Sequence, residues 1–77
     1  MPELRTRLRS GVREARTRLG MSIVELASAT GVDRHVIGKL DRDEGHSPSY
    51  RTALRLSEAL GVPVERLFYS EPIEASA

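Results

Sequence analysis

The sequence predicts an all-α fold of five short helices without a β-strand, and three observations predict it. Two helix-start signals, at Ser22 and Asp33, stand eleven residues apart. Apolar residues recur every three or four positions, which is the period of one helix face. The composition has no cysteine, 39% hydrophobic residues and 4% aromatic ones. It suits a small helical core and excludes both a disulfide framework and a cysteine-rich zinc module.

Helix 1 is predicted from one apolar stripe near the N-terminus. Its members stand four, four, three and four residues apart: Leu4, Leu8, Val12, Ala15 and Leu19. This spacing places them on one face of a helix. Gly20 follows the last of them and is expected to end the helix.

Helices 2 and 3 are predicted from their caps. The Ser22 hydroxyl can accept from the backbone N–H of Glu25, and the Glu25 carboxylate can accept from the N–H of Ser22, which is a capping box. Asp33 starts the next helix with a carboxylate that suits the positive end of the helix dipole. Gly31 can adopt the left-handed conformation that turns the chain between them. We expect helix 2 over residues 22–30 and helix 3 over residues 33–43.

Helix 4 is predicted to follow a polar surface loop, DEGHSPS. Ser49 can cap it, and Gly61 closes it. Between them Ala53, Leu56 and Leu60 form a stripe at helical spacing. These three residues are therefore expected in the core.

Helix 5 is expected to be brief. Pro63 stands where a first-turn proline is tolerated, and Leu67 and Phe68 return to close the core. Residues 70–77, SEPIEASA, lack periodicity and predict a flexible C-terminal tail, so that the domain spans residues 1–69.

The charge of the chain is unevenly distributed, although the net charge is only +1. Residues 1–42 carry nine Lys and Arg against five Asp and Glu, whereas residues 43–77 carry three against six. The N-terminal half could therefore lie on phosphates while the acidic half faces away or meets a partner. An arginine-rich helix face that is simply solvated would give the same counts.

Catalytic and metal-binding patterns are missing from the sequence. The titratable residues around helix 3 have no recognised metal-ligand spacing: His35, Asp41, Asp43, Glu44 and His46. No glycine-rich phosphate loop, nucleophile elbow or HExxH helix is present. We therefore expect no enzyme activity, no cofactor and no metal. No apolar run has the length of a signal peptide or a membrane span, so a cytoplasmic protein is expected.

Five motifs follow one another along most of the chain. They are Arg16 in REARTRLGMS, the LA of ELASATGV, the spacing of Ile and Leu in VIGKLD, the PS before helix 4, and ALRLSEALGVPVERLF. In this order and at these spacings they resemble the Cro/CI-type (XRE-family) helix-turn-helix domain of bacterial and phage regulators. The resemblance implies a compact five-helix, lambda-repressor-like domain that binds double-stranded DNA, usually as a symmetric dimer.

The resemblance also assigns roles to individual residues. It implies that helix 3 lies in the major groove with four residues toward the bases: Arg34, His35, Gly38 and Lys39. It implies phosphate contacts from Ser22, Ile23, Arg42 and Ser49. It places a dimer contact at Val62, Pro63 and Val64, and a structural ion pair between Arg16 and Asp41.

The chemistry of the groove residues suits them to different contacts. Arg34 offers a planar fork that matches O6 and N7 of guanine, although a solvated arginine or a partner of Asp33 is its other interpretation. His35 can donate to a base or a phosphate, or can stand exposed without a partner. Lys39 is a flexible point charge that suits a phosphate better than one particular base.

The chain departs from the family pattern in three ways. Ile23 stands where the family commonly has a phosphate-holding glutamine, and its side chain cannot hydrogen-bond. The family often has a glutamate followed two residues later by glycine; here Asp41 and Asp43 occupy those positions and glycine is delayed to Gly45, which predicts a longer helix 3. Gly38 costs about 1 kcal/mol relative to alanine inside a helix, and a close approach of DNA is one reason for a glycine there.

The sequence therefore predicts a DNA-binding transcriptional regulator. The favoured form is a repressor that acts as a homodimer on an inverted repeat by occluding a promoter. The alternative is a protein-interaction module, such as an antitoxin or adaptor, that keeps the helix-turn-helix fold. The acidic residues after Arg42 fit this alternative, and the basic and donor side chains of helix 3 favour DNA.

Overall fold

Five helices and a two-stranded sheet make up residues 5–73, the part of the chain that the computed structural model describes. The elements in order are β1 (Thr6–Ser10), α1 (Val12–Arg18), α2 (Ile23–Thr30), α3 (Arg34–Asp41), α4 (Tyr50–Leu60), α5 (Val64–Leu67) and β2 (Phe68–Pro72). The two strands pair antiparallel. Within the described residues, no helix has the length and apolar character needed to cross a membrane.

The helices enclose one apolar core to which all five contribute. Its largest fully buried side chains are Val12, Leu26, Ile37, Leu40, Leu56 and Leu67. Burying a side chain of this size contributes roughly 1.5–3 kcal/mol relative to leaving it in water. Ala53 and Leu60 are buried as their spacing predicted, and Phe68 packs against the same core.

The helix boundaries marked by caps agree with the prediction. Ser22 and Glu25 form the capping box, with both hydrogen bonds at 3.0 Å. The backbone N–H of Ser22 is the main reason that the pKa of Glu25 lies below its ordinary value. Gly31 and Gly61 end α2 and α4 in the left-handed region at φ 72° and 69°. Ser49 caps α4 by accepting from the N–H of Thr52.

The prediction of helix 1 was wrong in its first half, and the fold is not strictly all-α. The helix starts at Val12, while Leu8 lies in β1 and Leu4 lies outside the described residues. Strand β1 pairs with β2 from Thr6 opposite Pro72 to Ser10 opposite Phe68. This segment also alternates arginine with other residues, which is the period of a strand, and in the structure it pairs with β2 instead of extending α1.

The sheet also corrects the prediction of a flexible tail over residues 70–77. Residues 70–72 belong to β2, and residues 74–77 lie outside the described part. Just beyond β2, the N–H of Ile73 donates to the carbonyl of Arg5 at 2.8 Å. The sequence around β2 has no periodicity of its own, so its order depends on the partner strand.

The prediction of a longer helix 3 was also wrong, since α3 ends at Asp41. Two residues later Asp43 has a φ of 55°. A non-glycine residue in this left-handed region costs roughly 1–2 kcal/mol, although aspartate tolerates it better than most. The Asp43 carboxylate accepts from the backbone N–H of Ser10 at 2.8 Å and from Arg9 Nε at 2.5 Å. Burial raises the pKa of Asp43, but the bonds from Ser10 and Arg9 outweigh it and hold the pKa below its ordinary value.

An ion pair between Arg16 and Asp41 ties α1 to the end of α3. Arg16 Nε lies 2.7 Å from Asp41 Oδ1, and Arg16 Nη2 lies 3.1 Å from Oδ2. The side chains are only 15% and 9% exposed. Arg16 Nη1 also donates to the carbonyl of Met21 at 3.0 Å, so one guanidinium holds α1, α3 and the entry to α2. The hydrogen bond to Asp41 raises the pKa of Arg16 above its ordinary value.

Removing one member of this pair should destabilise the domain. In Asp41→Ala the Arg16 guanidinium stays in a sheltered site without its counter-charge, and we expect the free energy of unfolding to fall by about 3 kcal/mol. The double variant Arg16→Met with Asp41→Leu strands no charge and should lose less than Asp41→Ala alone. Urea unfolding followed by circular dichroism measures these differences.

The exposed pair of Arg42 and Glu44 provides the matched control. Its side chains are 60% and 48% exposed, so Glu44→Ala should change the free energy of unfolding by less than about 1 kcal/mol. Equal losses in Glu44→Ala and Asp41→Ala would contradict a special structural role for the sheltered pair.

Candidate nucleic-acid interface

A short turn joins α2 to α3. Residues 31–33 form it, between the end of α2 at Thr30 and the start of α3 at Arg34. The Thr30 hydroxyl donates to the carbonyl of Leu26 at 2.7 Å and accepts from the N–H of Val32 at 3.2 Å. Val32 itself is buried in the core. The angle between the two helices is therefore held by both hydrogen bonds and apolar contact.

Helix α3 presents a basic face to solvent. Ile37 and Leu40 anchor its other face in the core, whereas Arg34, His35 and Lys39 are exposed. His35 and Lys39 are four residues apart and so lie on the same side of the helix. Three of the four residues that the sequence analysis assigned to the bases are therefore exposed on α3.

Asp33 holds the start of α3 and one of its exposed side chains. Its Oδ1 accepts from the backbone N–H of His35 at 2.7 Å and lies 3.2 Å from His35 Nδ1. The backbone bond from His35 is the main reason that the pKa of Asp33 lies below its ordinary value. The imidazole remains 81% exposed, so it is oriented by the cap and still accessible to a ligand.

Gly38, the fourth residue assigned to the bases, is buried. Arg42 lies four residues further along the helix, and its Nη1 is 3.3 Å from the position that a Cβ of Gly38 would occupy. Arg42 Nε donates to Glu44 Oε1 at 2.6 Å. The Arg42 side chain therefore lies over Gly38.

The residues assigned to phosphate contacts lie at helix starts and at the end of α3. Ser22 is exposed at the N-terminus of α2, and Arg42 and Ser49 are exposed on either side of the α3–α4 loop. Ile23 packs against the core, so its backbone amide is the group it can offer to a phosphate. The Ser49 hydroxyl already caps α4 and contacts Thr52 Oγ1 at 3.0 Å.

Tyr50 and Arg51, to which the sequence analysis assigned no role, are exposed in the first turn of α4 beside Ser49. The Tyr50 side chain is the more exposed of the large apolar residues on this helix, at 73%. The available signal was their position directly after the predicted cap. A phenol and a guanidinium placed there can both donate to a phosphate.

The residues assigned to the dimer contact differ in how far they reach the surface. Val62 packs against the core, Pro63 is exposed as the cap of α5, and Val64 is half-buried. Val62 is also fixed by its carbonyl, which accepts from the Ser57 hydroxyl at 2.6 Å. Pro63 and Val64 are therefore the accessible part of the run.

Comparison with known proteins identifies a matching family and a similar transcriptional regulator. A family model described as Helix-turn-helix matches residues 12–67, which include all five helices and leave both strands outside. The chain is 33% identical over 76 residues to the HTH-type transcriptional regulator SutR of Escherichia coli (strain K12). The aligned region covers 99% of this chain but 42% of that protein, so the chain spans less than half the length of this relative. The chain belongs to the XRE-type helix-turn-helix family, whose DNA-binding domains its sequence pattern resembles.

Proposed function

We propose that this chain is a sequence-specific, double-stranded DNA-binding transcriptional regulator that inserts α3 into the major groove. The observation that carries the proposal is the basic, solvent-facing side of α3, opposite the face that Ile37 and Leu40 bury. Within residues 5–73, neither Arg34 nor Lys39 takes part in an ion pair. Their charges are available to a ligand, and an α-helix fits the major groove of B-DNA.

The three exposed side chains of α3 suit three kinds of contact. Arg34, in the first turn of the helix, can donate two parallel hydrogen bonds to O6 and N7 of a guanine. His35 is oriented by Asp33 and can donate to a base or a nearby phosphate. Lys39, further along, supplies a flexible charge to the phosphate backbone.

Phosphate contacts on both sides of α3 would set the register of the domain on the duplex. The N-terminus of α2 offers the Ser22 hydroxyl and the Ile23 amide at the positive end of a helix dipole. Arg42 and Ser49 would contact the backbone from the α3–α4 loop. Such contacts position a protein without reading the sequence, which leaves specificity to α3.

A homodimer on an inverted repeat is the assembly that we propose. One helix in one groove buries little surface, whereas two-fold pairing doubles the interface and sets half-sites about 34 Å apart. Pro63 and Val64 form the accessible part of the contact. Bound across a promoter, such a dimer would repress by occlusion.

A protein-interaction module is the second candidate, because residues 43–77 carry six acidic residues against three basic ones. Selection of bound duplexes from a random DNA pool separates the candidates. An enriched motif supports the DNA-binding regulator and reveals its symmetry. The absence of enrichment favours a protein partner.

Arg34→Ala tests base reading. We expect it to weaken binding to the selected duplex by roughly 1–3 kcal/mol and to relax preference at one base pair per half-site. The matched control is Lys39→Ala, which should weaken binding to selected and scrambled duplexes alike. Both variants are measured by fluorescence anisotropy at one salt concentration. An equal loss on both duplexes for Arg34→Ala would show that it does not read a base.

Salt dependence tests the phosphate contacts. The logarithm of the binding constant should fall linearly with the logarithm of the salt concentration, by about 0.9 for each phosphate contacted. Arg42→Ala should make this slope shallower by about one contact. Arg66→Ala on α5, measured on a half-site duplex, is the control that should leave the slope unchanged. A flat response of the wild-type chain would contradict the DNA-binding mode.

Val64→Glu tests the dimer. A carboxylate at this half-buried position should disfavour a symmetric apolar contact, because each copy would bring a charge to it. We expect reduced cooperativity on a two-half-site duplex and nearly unchanged affinity for a half-site. Gel shifts on the two duplexes measure this, and circular dichroism verifies the helical content. One protomer per whole-site duplex at saturation, measured by mass, would rule out the dimer.

A further inference from the structure

Asp43 lies where three parts of the chain meet. It follows the end of α3, starts the loop that leads to α4, and contacts β1 through its carboxylate. One carboxylate oxygen accepts from the backbone N–H of Ser10 at 2.8 Å, and the other accepts from Arg9 Nε at 2.5 Å. The side chains of Arg9 and Asp43 are only 30% and 22% exposed. These contacts pin the start of the α3–α4 loop to the sheet.

Arg9 extends these contacts to the other strand. Arg9 Nη1 donates to the carboxylate of Glu71 in β2, 62 residues away along the chain. At the base of the sheet the N–H of Gly11 donates to the carbonyl of Leu67 at 2.8 Å. Glu71, Arg9 and Asp43 thus form a chain of charge-assisted hydrogen bonds from β2 to the end of α3. We call this set of three residues the joint.

This joint has a direct consequence for the proposed interface. Arg42 immediately precedes Asp43, and the loop beyond Asp43 ends at Ser49, so the joint holds the loop between two of the proposed phosphate contacts. We propose that the β1–β2 sheet sets the position of this loop on DNA, with Asp43 as the positioning residue. The inference rests on the proposed function and deepens it, because it gives strands β1 and β2 a role in placing the phosphate contacts.

The backbone conformation of Asp43 distinguishes two roles that this residue could have, ending α3 and positioning the α3–α4 loop. Its φ of 55° is a conformation that glycine adopts without strain and asparagine tolerates. A residue that only ended the helix could therefore be glycine. Asp43 adds a carboxylate that reaches β1, and that carboxylate is what a positioning role requires.

A simple charge effect and a positioning role predict opposite changes in DNA affinity for two variants, Asp43→Gly and Glu71→Gln. Asp43→Gly keeps the backbone conformation and removes the joint, and Glu71→Gln weakens the joint from the far strand. Both changes remove a negative charge, which by itself would strengthen binding to DNA. The positioning role instead predicts weaker binding, by about fivefold to tenfold for Asp43→Gly and less for Glu71→Gln, together with a salt slope shallower by about one phosphate contact.

Two controls sharpen this comparison. Glu44→Gln removes a neighbouring carboxylate outside the joint and should bind equally or more tightly. A double-variant cycle adds Arg42→Ala, which should cost less in the Asp43→Gly background than in the wild type, because a misplaced loop has already weakened that contact. The probe is the duplex selected by the wild-type chain, and unfolding followed by circular dichroism verifies that each variant is folded.

Amide hydrogen exchange of the free protein provides a readout that needs no DNA. In both Asp43→Gly and Glu71→Gln we expect faster exchange at the amides of Ser10 and residues 42 and 43, which are hydrogen-bonded in the wild type, and unchanged exchange in the turn at residues 31–33. Unchanged exchange at residues 42 and 43, or equal or tighter DNA binding by folded Asp43→Gly, would overturn the inference. If the wild-type chain selects no duplex, the proposed function and the role of the joint on DNA fail together, and the exchange data alone decide whether the sheet orders the loop.

Discussion

The ion pair between Arg16 and Asp41 is the constraint on which the arrangement of the helices depends. Apolar burial is non-directional, so the core by itself would tolerate more than one angle between α1 and α3. The paired hydrogen bonds of a guanidinium to a carboxylate accept one geometry. Arg16 also donates to the carbonyl of Met21. One side chain therefore fixes the relative positions of α1, α3 and the start of α2.

A second set of ion pairs attaches the sheet to this helical frame. Within the described part of the chain, the two strands have no apolar core of their own, and an isolated two-stranded sheet is marginal in water. The links through Gly11, Ser10 and Arg9 connect the sheet to α5 and to the end of α3. The order of the sheet and the position of the α3–α4 loop are therefore coupled, although the family match begins after β1 and ends before β2.

The structure changes the meaning of the charge distribution. The N-terminal excess of arginine overstates the charge available to a nucleic acid, because Arg9 and Arg16 are neutralised inside the domain by Asp43, Glu71 and Asp41. The proposed base contacts rest on the smaller set of exposed basic and donor side chains on the outer face of α3. The charge of Arg42 is only partly available to a ligand, because the side chain is exposed but pairs with Glu44 and lies over Gly38. A phosphate would have to compete with Glu44 for it.

The sequence by itself determined the starts of α2, α3 and α4, the glycine turns and most of the core, because caps, left-handed glycines and apolar stripes act over one or two helical turns. The capping box at Ser22, the turn at Gly31 and the burial of Leu26 and Leu56 are of this kind. Only the tertiary structure decided the fate of the chain ends, the burial of Gly38 under Arg42 and the left-handed turn at Asp43. Arg9 and Glu71 are 62 residues apart, and a strand without periodicity of its own becomes ordered only when folding brings its partner alongside it.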